Sequence, residues 1–158
     1  MIDVKIKRLA ETAKMPTRAF PTDAGLDLYA HLPDATVHEW GGNVINGIKI
    51  RPHETAMIGT GLAMAIPEGY WGGIFARSGL ASKQGLRPSN CVGVVDCSYR
   101  NEVKVALYND SNETRIVQDG DRVAQLIILP CPSVKLSEVD SLDNTARNMG
   151  GFGSSGTR

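Results

Sequence analysis

The stretch NEVKVALYNDSNE (residues 101–113) alternates apolar and polar side chains and then breaks off in a cluster of turn formers. Val103, Val105 and Leu107 fall on one side of an extended chain, with Glu102, Lys104 and Tyr108 on the other. Successive strand side chains point to opposite faces, so this period of two marks a strand with one face buried. The polar run that follows closes it, because Asn, Asp and Ser bond their own backbone and favour turns. The same signal recurs outward in both directions. Ile2, Val4 and Ile6 alternate with Asp3, Lys5 and Lys7; Ile58, Thr60, Leu62, Met64 and Ile66 read as one further strand. VAQLIIL (residues 123–129) is a more continuous apolar run, the pattern of a strand covered on both faces. Turn residues separate these segments at EWGGN, RPHE, IPEGYWGG and QDGDR. Helical periodicity is nearly absent, with room only for a short turn near LASKQG and another near SEVDSL. Many short strands with frequent turns define an all-β sandwich, barrel or jelly roll. There is no internal repeat and no linker that splits the chain.

The 158 residues are enough for one domain with a proper core. Seventeen basic residues balance 17 acidic ones, which excludes a generic nucleic-acid or anionic-membrane binder, but not a small anionic substrate held by a few placed arginines. No apolar run reaches the length of a membrane span, and MIDVKIKRLA lacks the apolar core of a signal peptide. Cys91, Cys97 and Cys131 form an odd set without CxxC spacing. They fit a reducing cytoplasm and read as small core or turn residues.

Several stretches carry candidate chemistry. In FARSGLASKQG, Arg77, Ser78 and Gly79 offer a guanidinium fork, a hydroxyl and a closely approachable backbone N–H, a set that suits phosphate oxygens. A strand ending in a polar turn explains the same residues. In NCVGVVDCSYRNEV, a hairpin turning near DCSY leaves Asp96 either bonded to local backbone or facing a pocket together with Tyr99. In the pocket, the carboxylate suits a general base and the ring a flat ligand or sugar. Arg122 and Gln125 stand three apart, on opposite faces unless the strand begins irregularly. Asp27 interrupts an apolar strand, a costly place for a carboxylate unless it is paired or near a cation. The chain has no P-loop, no metal-ligand spacing around His31, His38 or His53, and no GxSxG elbow.

Taken in order, AGLDLYA, ARSGLASKQG, GVVDCSYRNE, RVAQLIIL and RNMGGFGSSG resemble the five motifs of the trimeric dUTP diphosphatases (dUTPases), over residues 24 to 156. The resemblance implies a β jelly roll or distorted β-barrel, a homotrimer with active sites shared between subunits, and Mg²⁺-dependent hydrolysis of dUTP to dUMP and pyrophosphate. It implies Asp96 as the base for a water attacking the α-phosphorus and Tyr99 as the ring packed under deoxyribose. Asn90 and the backbone of the Gly93–Tyr99 hairpin, Val95 included, read uracil. Arg77, Ser78 and Gly79 hold the phosphates, and Gln125 joins the phosphate and water network. Arg122 becomes structural, pairing with a carboxylate, and Asp27 meets Mg²⁺ through its water shell. In the last motif Arg147 reaches the γ-phosphate, Phe152 stacks on uracil, and Gly153, Ser154 and Ser155 contact substrate. This divides the chain into a domain, 1–146, and a flexible C-terminal lid, 147–158. Nucleic acid and membrane are not expected partners, and the expected location is the cytoplasm, or a host cell's cytoplasm for a viral protein.

Asn101 and Asn148 stand where the family usually has glycine, and asparagine tolerates positive φ better than most residues. The stretch HEWGGNVINGIKI reads as an extended hairpin loop. Two rivals share the fold. A dCTP deaminase needs a glutamate about ten residues past the aspartate, where this chain has Ala106. A catalytically inactive dUTP-binding regulatory relative would not be expected to keep Asp96, Tyr99, Arg77, Ser78, Arg147 and Phe152 together.

Overall fold

A computed structural model describes residues 2–35, 37–40 and 43–151. The alternation of residues 102–108 becomes a strand from Lys104 on; Val103 just before it and Val105 and Leu107 within it are at most 1% exposed, while Lys104 faces solvent. Burying side chains of this size contributes about 1.5–3 kcal/mol each for the larger ones. The turn after it is built on Asn109, which is wholly buried. Its amide donates to the carbonyls of Ile50 (3.0 Å) and Glu113 (2.7 Å). Its Oδ1 accepts the Ser111 N–H (3.0 Å) and hydroxyl (2.7 Å). A buried amide is tolerated only when satisfied in this way.

In chain order the elements are β1 (Lys5–Arg8), β2 (Leu26–Tyr29), β3 (Val37–Trp40), β4 (Asn43–Ile50), β5 (Thr55–Gly59), β6 (Leu62–Ala65) and β7 (Tyr70–Phe75). There follow α1 (Ser78–Gln84), β8 (Leu86–Pro88), β9 (Gly93–Val95), β10 (Lys104–Asn109), β11 (Arg115–Gln118) and β12 (Arg122–Pro130). The strands pair antiparallel in the orders β1-β6, β5-β10-β8, β11-β4-β3 and β2-β12-β7-β9. They enclose one core, in which Leu28, Ile58, Leu107, Val117 and Leu126 come from all but the β1-β6 pair. The molecule is thus an all-β distorted barrel of the jelly-roll kind with one short helix.

Several expectations need correction. Residues 58–66 are two strands, not one: Gly61 takes φ 65°, a left-handed turn that breaks the ladder and sends β6 to β1 while β5 joins β10. No hairpin joins the strands on either side of DCSY. β9 lies against β7, whereas β10 pairs with β5 and β8, so residues 93–99 pass between two sheets. The stretch 38–50 forms the expected hairpin, and its arms are paired strands rather than open loop, with Trp40 opposite Asn43 and β4 continuing onto β11. LASKQG lies in α1, but SEVDSL has no helical turn; after Pro130 the described chain has neither helix nor strand. In β12, Val123, Ala124 and Leu126 are buried and the residues after them only half so, which limits the two-sided cover to its first half. None of the cysteines is a core residue: Cys91 and Cys131 are exposed, Cys97 half-buried, and all three are free.

Candidate active site

The strand β2 carries Asp27 into the interior at 15% side-chain exposure, and two cations meet it there. Arg77, two residues past the end of β7, donates from Nε to Asp27 Oδ1 at 2.7 Å. Arg122, opening β12, donates to Oδ2 at 3.1 Å. The carboxylate therefore sets two guanidiniums side by side, and each keeps further N–H donors for a ligand. Asp27 is the half-buried carboxylate whose cost the sequence flagged, and Arg77 and Arg122 are its partners.

Gln125 lies directly opposite Asp27 in the β2–β12 ladder. The register slips between Arg122 and Ala124, leaving Val123 without a counterpart in β2. That β-bulge cancels the alternation which should have put residues 122 and 125 on opposite faces, and both line one cleft. Gln125 donates from Nε2 to the Ala76 carbonyl at 2.8 Å. Its Oε1 sits against Gly25, where any Cβ would collide with it. Gly25 is a residue that sequence reasoning passed over, although a glycine just before a strand signals close backbone approach.

The resulting cleft, of about 390 Å³, is lined by Asp23, Gly25, Asp27, Arg77, Ser78, Gly79, Arg122 and Gln125 among others. Ser78 and Gly79 form the first turn of α1, where N–H groups lack intrahelical partners. No acidic residue stands in that turn and no side chain caps it. Two arginines and two aspartates leave the lining formally neutral, so the cleft alone does not neutralise a polyanion.

A second cleft of about 280 Å³ is lined by Met57, Ile74, Asn90, Gly93, Val94, Val95, Asp96, Tyr99, Val103 and Lys104. Gly93 and Val95 bury one face of β9 against β7, which exposes Val94 and Asp96. The turn after it is closed by the Tyr99 N–H to the Asp96 carbonyl (3.1 Å). Arg100 braces the turn by donating to the carbonyls of Cys97 (2.6 Å) and Tyr99 (2.9 Å). The Asp96 carboxylate is exposed and makes no hydrogen bond or ion pair among the described residues, unlike a turn aspartate tied to local backbone.

The sequence-derived residues thus fall into two groups that share no lining residue. Arg147 joins neither; its Nε donates to the Gly150 carbonyl at 2.8 Å in an exposed turn. Phe152, Gly153, Ser154 and Ser155 lie outside the described residues. Asn148 takes φ 43°, as glycine's stand-in should, whereas Asn101 does not adopt positive φ and instead accepts the Glu102 N–H on its side chain (2.8 Å).

Among the described residues no three His, Cys, Asp or Glu side chains cluster to cage a metal. Asp27 accepts one guanidinium on each oxygen, and each carboxylate oxygen offers about two acceptor sites. That donor set fits the water shell of a hydrated Mg²⁺ rather than direct ligation.

Comparison with known proteins identifies the family of this fold. The dUTPase family model matches residues 11–156. The deoxyuridine 5'-triphosphate nucleotidohydrolase of Gloeobacter violaceus is 39% identical over 155 residues, covering 98% of this chain and 97% of the relative. The fold superposes on a mutant dUTPase of Staphylococcus bacteriophage 80alpha with dUpNHpp at TM-score 0.81 and 27% identity, over 98% of both chains. It also superposes on a mutant dUTPase of phage phi11 of S. aureus, described for its coordination of a structural Mg(II) ion, at TM-score 0.74 and 26% identity, over 90% of this chain and 99% of that one. A match that spans the barrel and every stretch lining both clefts leaves one assignment: the chain belongs to the dUTPase family.

Proposed function

We propose that this protein is a dUTP nucleotidohydrolase, converting dUTP to dUMP and pyrophosphate. The observation that carries the reading is the convergence of Asp27, Arg77, Ser78 and Gln125, from three separate motifs, on one cleft suited to phosphate oxygens. Asp96 takes a proton from water as its oxygen attacks the α-phosphorus; the new P–O bond forms while the α–β anhydride bond breaks and pyrophosphate leaves. Asn90 and the backbone of residues 93–95 take the uracil edge, and Tyr99 packs against deoxyribose. Arg77, Ser78 and Gly79 hold the phosphates, and Gln125 orders the phosphate and water network from its anchor on Ala76.

The neutral lining of the first cleft calls for added positive charge against a triphosphate. Mg²⁺, when bound, supplies it on the phosphate oxygens, with Asp27 receiving its water shell. Arg147 supplies more once the arm, residues 147–158, closes and brings Phe152 over uracil and Gly153, Ser154 and Ser155 to the phosphates. Positioning and charge neutralisation of this kind carry most of phosphoryl-transfer catalysis.

The separation of the two clefts supports a homotrimer in which one subunit offers the phosphate cleft and another the base and sugar cleft. The exposed side chains of Val134, Leu136, Val139 and Leu142 in the segment leading to the arm point the same way, since such residues gain by packing on a neighbour. The expected location is the cytoplasm; no helix of the described residues is long and apolar enough to cross a membrane.

Asp96→Asn tests the assigned base. It removes the proton acceptor and keeps the shape, so kcat should fall on the order of 10²–10⁴-fold while dUTP binding is largely retained. Turnover near the wild-type rate would move the base elsewhere.

A further inference from the structure

We propose that Glu102, outside the substrate clefts, is the positioning residue that sets the Tyr99 ring and with it discrimination between deoxyribose and ribose. The proposal rests on the reading of Tyr99 as the ring under the sugar. The turn carrying Tyr99 is exposed, and the bonds that shape it, Tyr99 N–H to Asp96 and Arg100 to Cys97 and Tyr99, all lie within it. They fix the turn's form but not its place.

Its place is fixed at Glu102. The Tyr99 hydroxyl donates to the Glu102 carbonyl at 2.9 Å, tying the tip of the ring to this residue. Glu102 in turn grips the bend between β5 and β6, where its Oε1 accepts the Gly61 N–H at 2.9 Å. The carboxylate lies so close that a Cβ on Gly59 would come within 2.6 Å of Oε1. Two further bonds hold the same junction: Val103 N–H to the Leu62 carbonyl, 2.8 Å, and the buried Thr60 hydroxyl to the Val103 carbonyl, 2.7 Å. The bend is itself anchored, with the Gly59 carbonyl accepting from His31 and the Gly61 carbonyl from Leu9, both at 2.8 Å. Lys104 Nζ sits 3.4 Å from the other carboxylate oxygen. The ring proposed to gate the sugar is therefore strutted from the body of the barrel at Glu102, whose carboxylate holds the bend beside the two bonds of Val103.

Removing the carboxylate leaves the part-buried Gly61 N–H unpaired and loosens the strut's base, which then rests on the two Val103 bonds alone. The experiment compares kcat/KM for dUTP and for UTP in five variants. Glu102→Ala should lower the dUTP-over-UTP ratio roughly tenfold, chiefly by raising turnover of UTP. Glu102→Gln, which keeps an acceptor for Gly61, should hold the ratio near wild type. Tyr99→Phe breaks the strut at its other end without touching the carboxylate and should match Glu102→Ala. Combining Tyr99→Phe with Glu102→Ala should add nothing further. A wild-type ratio in Glu102→Ala, whatever its melting temperature, overturns the proposal; where that variant does not fold, Tyr99→Phe decides in the same way. Tyr99→Ala separates the two levels. An unchanged ratio there removes the sugar-gate reading itself, whereas a relaxed ratio there beside wild-type ratios in Glu102→Ala and Tyr99→Phe removes only the strut.

Discussion

At the scale of single residues, the site is built from close approaches that tolerate little change. Gly25 is the sharpest case: the amide of Gln125 occupies the space a β-carbon would need, and the same amide is bonded to Ala76. Gly25→Ala should push the amide out of the cleft and lower kcat/KM for dUTP on the order of 10- to 100-fold, because small displacements of positioning groups carry such penalties. A thermal melt close to wild type alongside that loss would place the effect at the site; unaltered kinetics would show that Gln125 is not held by this contact. Asp27 was legible in the sequence as a carboxylate that needed a partner. Which cations answer it was not, because Arg77 and Arg122 lie 50 and 95 residues away and only the β2-β12-β7 pairing joins them.

Elements show where period-two reading succeeds and where it stops. It identified the strand β10 to within a residue or two, because one face there is wholly core and the other is not. Leu107→Ala should cost about 2–5 kcal/mol of unfolding free energy in a denaturant titration, since Leu107 is completely enclosed; a loss under 1 kcal/mol would mean that the core refills the gap. The same reading ran Ile58 to Ile66 together, because Thr60 and Gly61 preserve the alternation while Gly61 turns the chain. It separated Arg122 from Gln125, since one unpaired residue in a strand leaves no trace in side-chain character. It drew a hairpin around Asp96, because adjacency along the chain does not reveal that β9 has β7 as its partner.

For the whole molecule, two clefts without a common residue and a long segment of exposed apolar side chains support the proposed design, in which a complete site draws on more than one chain and on the C-terminal arm. Deleting residues 148–158 should leave the mass in solution at three chains while lowering turnover on the order of 10³-fold, a loss of the size expected when positive charge and a lid are withdrawn from phosphoryl transfer. Full activity in the shortened chain would make the arm dispensable, and an active single chain would end the shared-site reading. The most direct test of the account is the release of pyrophosphate from dUTP in the presence of Mg²⁺. The account predicts one pyrophosphate and one dUMP for each dUTP consumed, with UTP and dCTP turned over far more slowly. Tight binding of dUTP without release of pyrophosphate would contradict it.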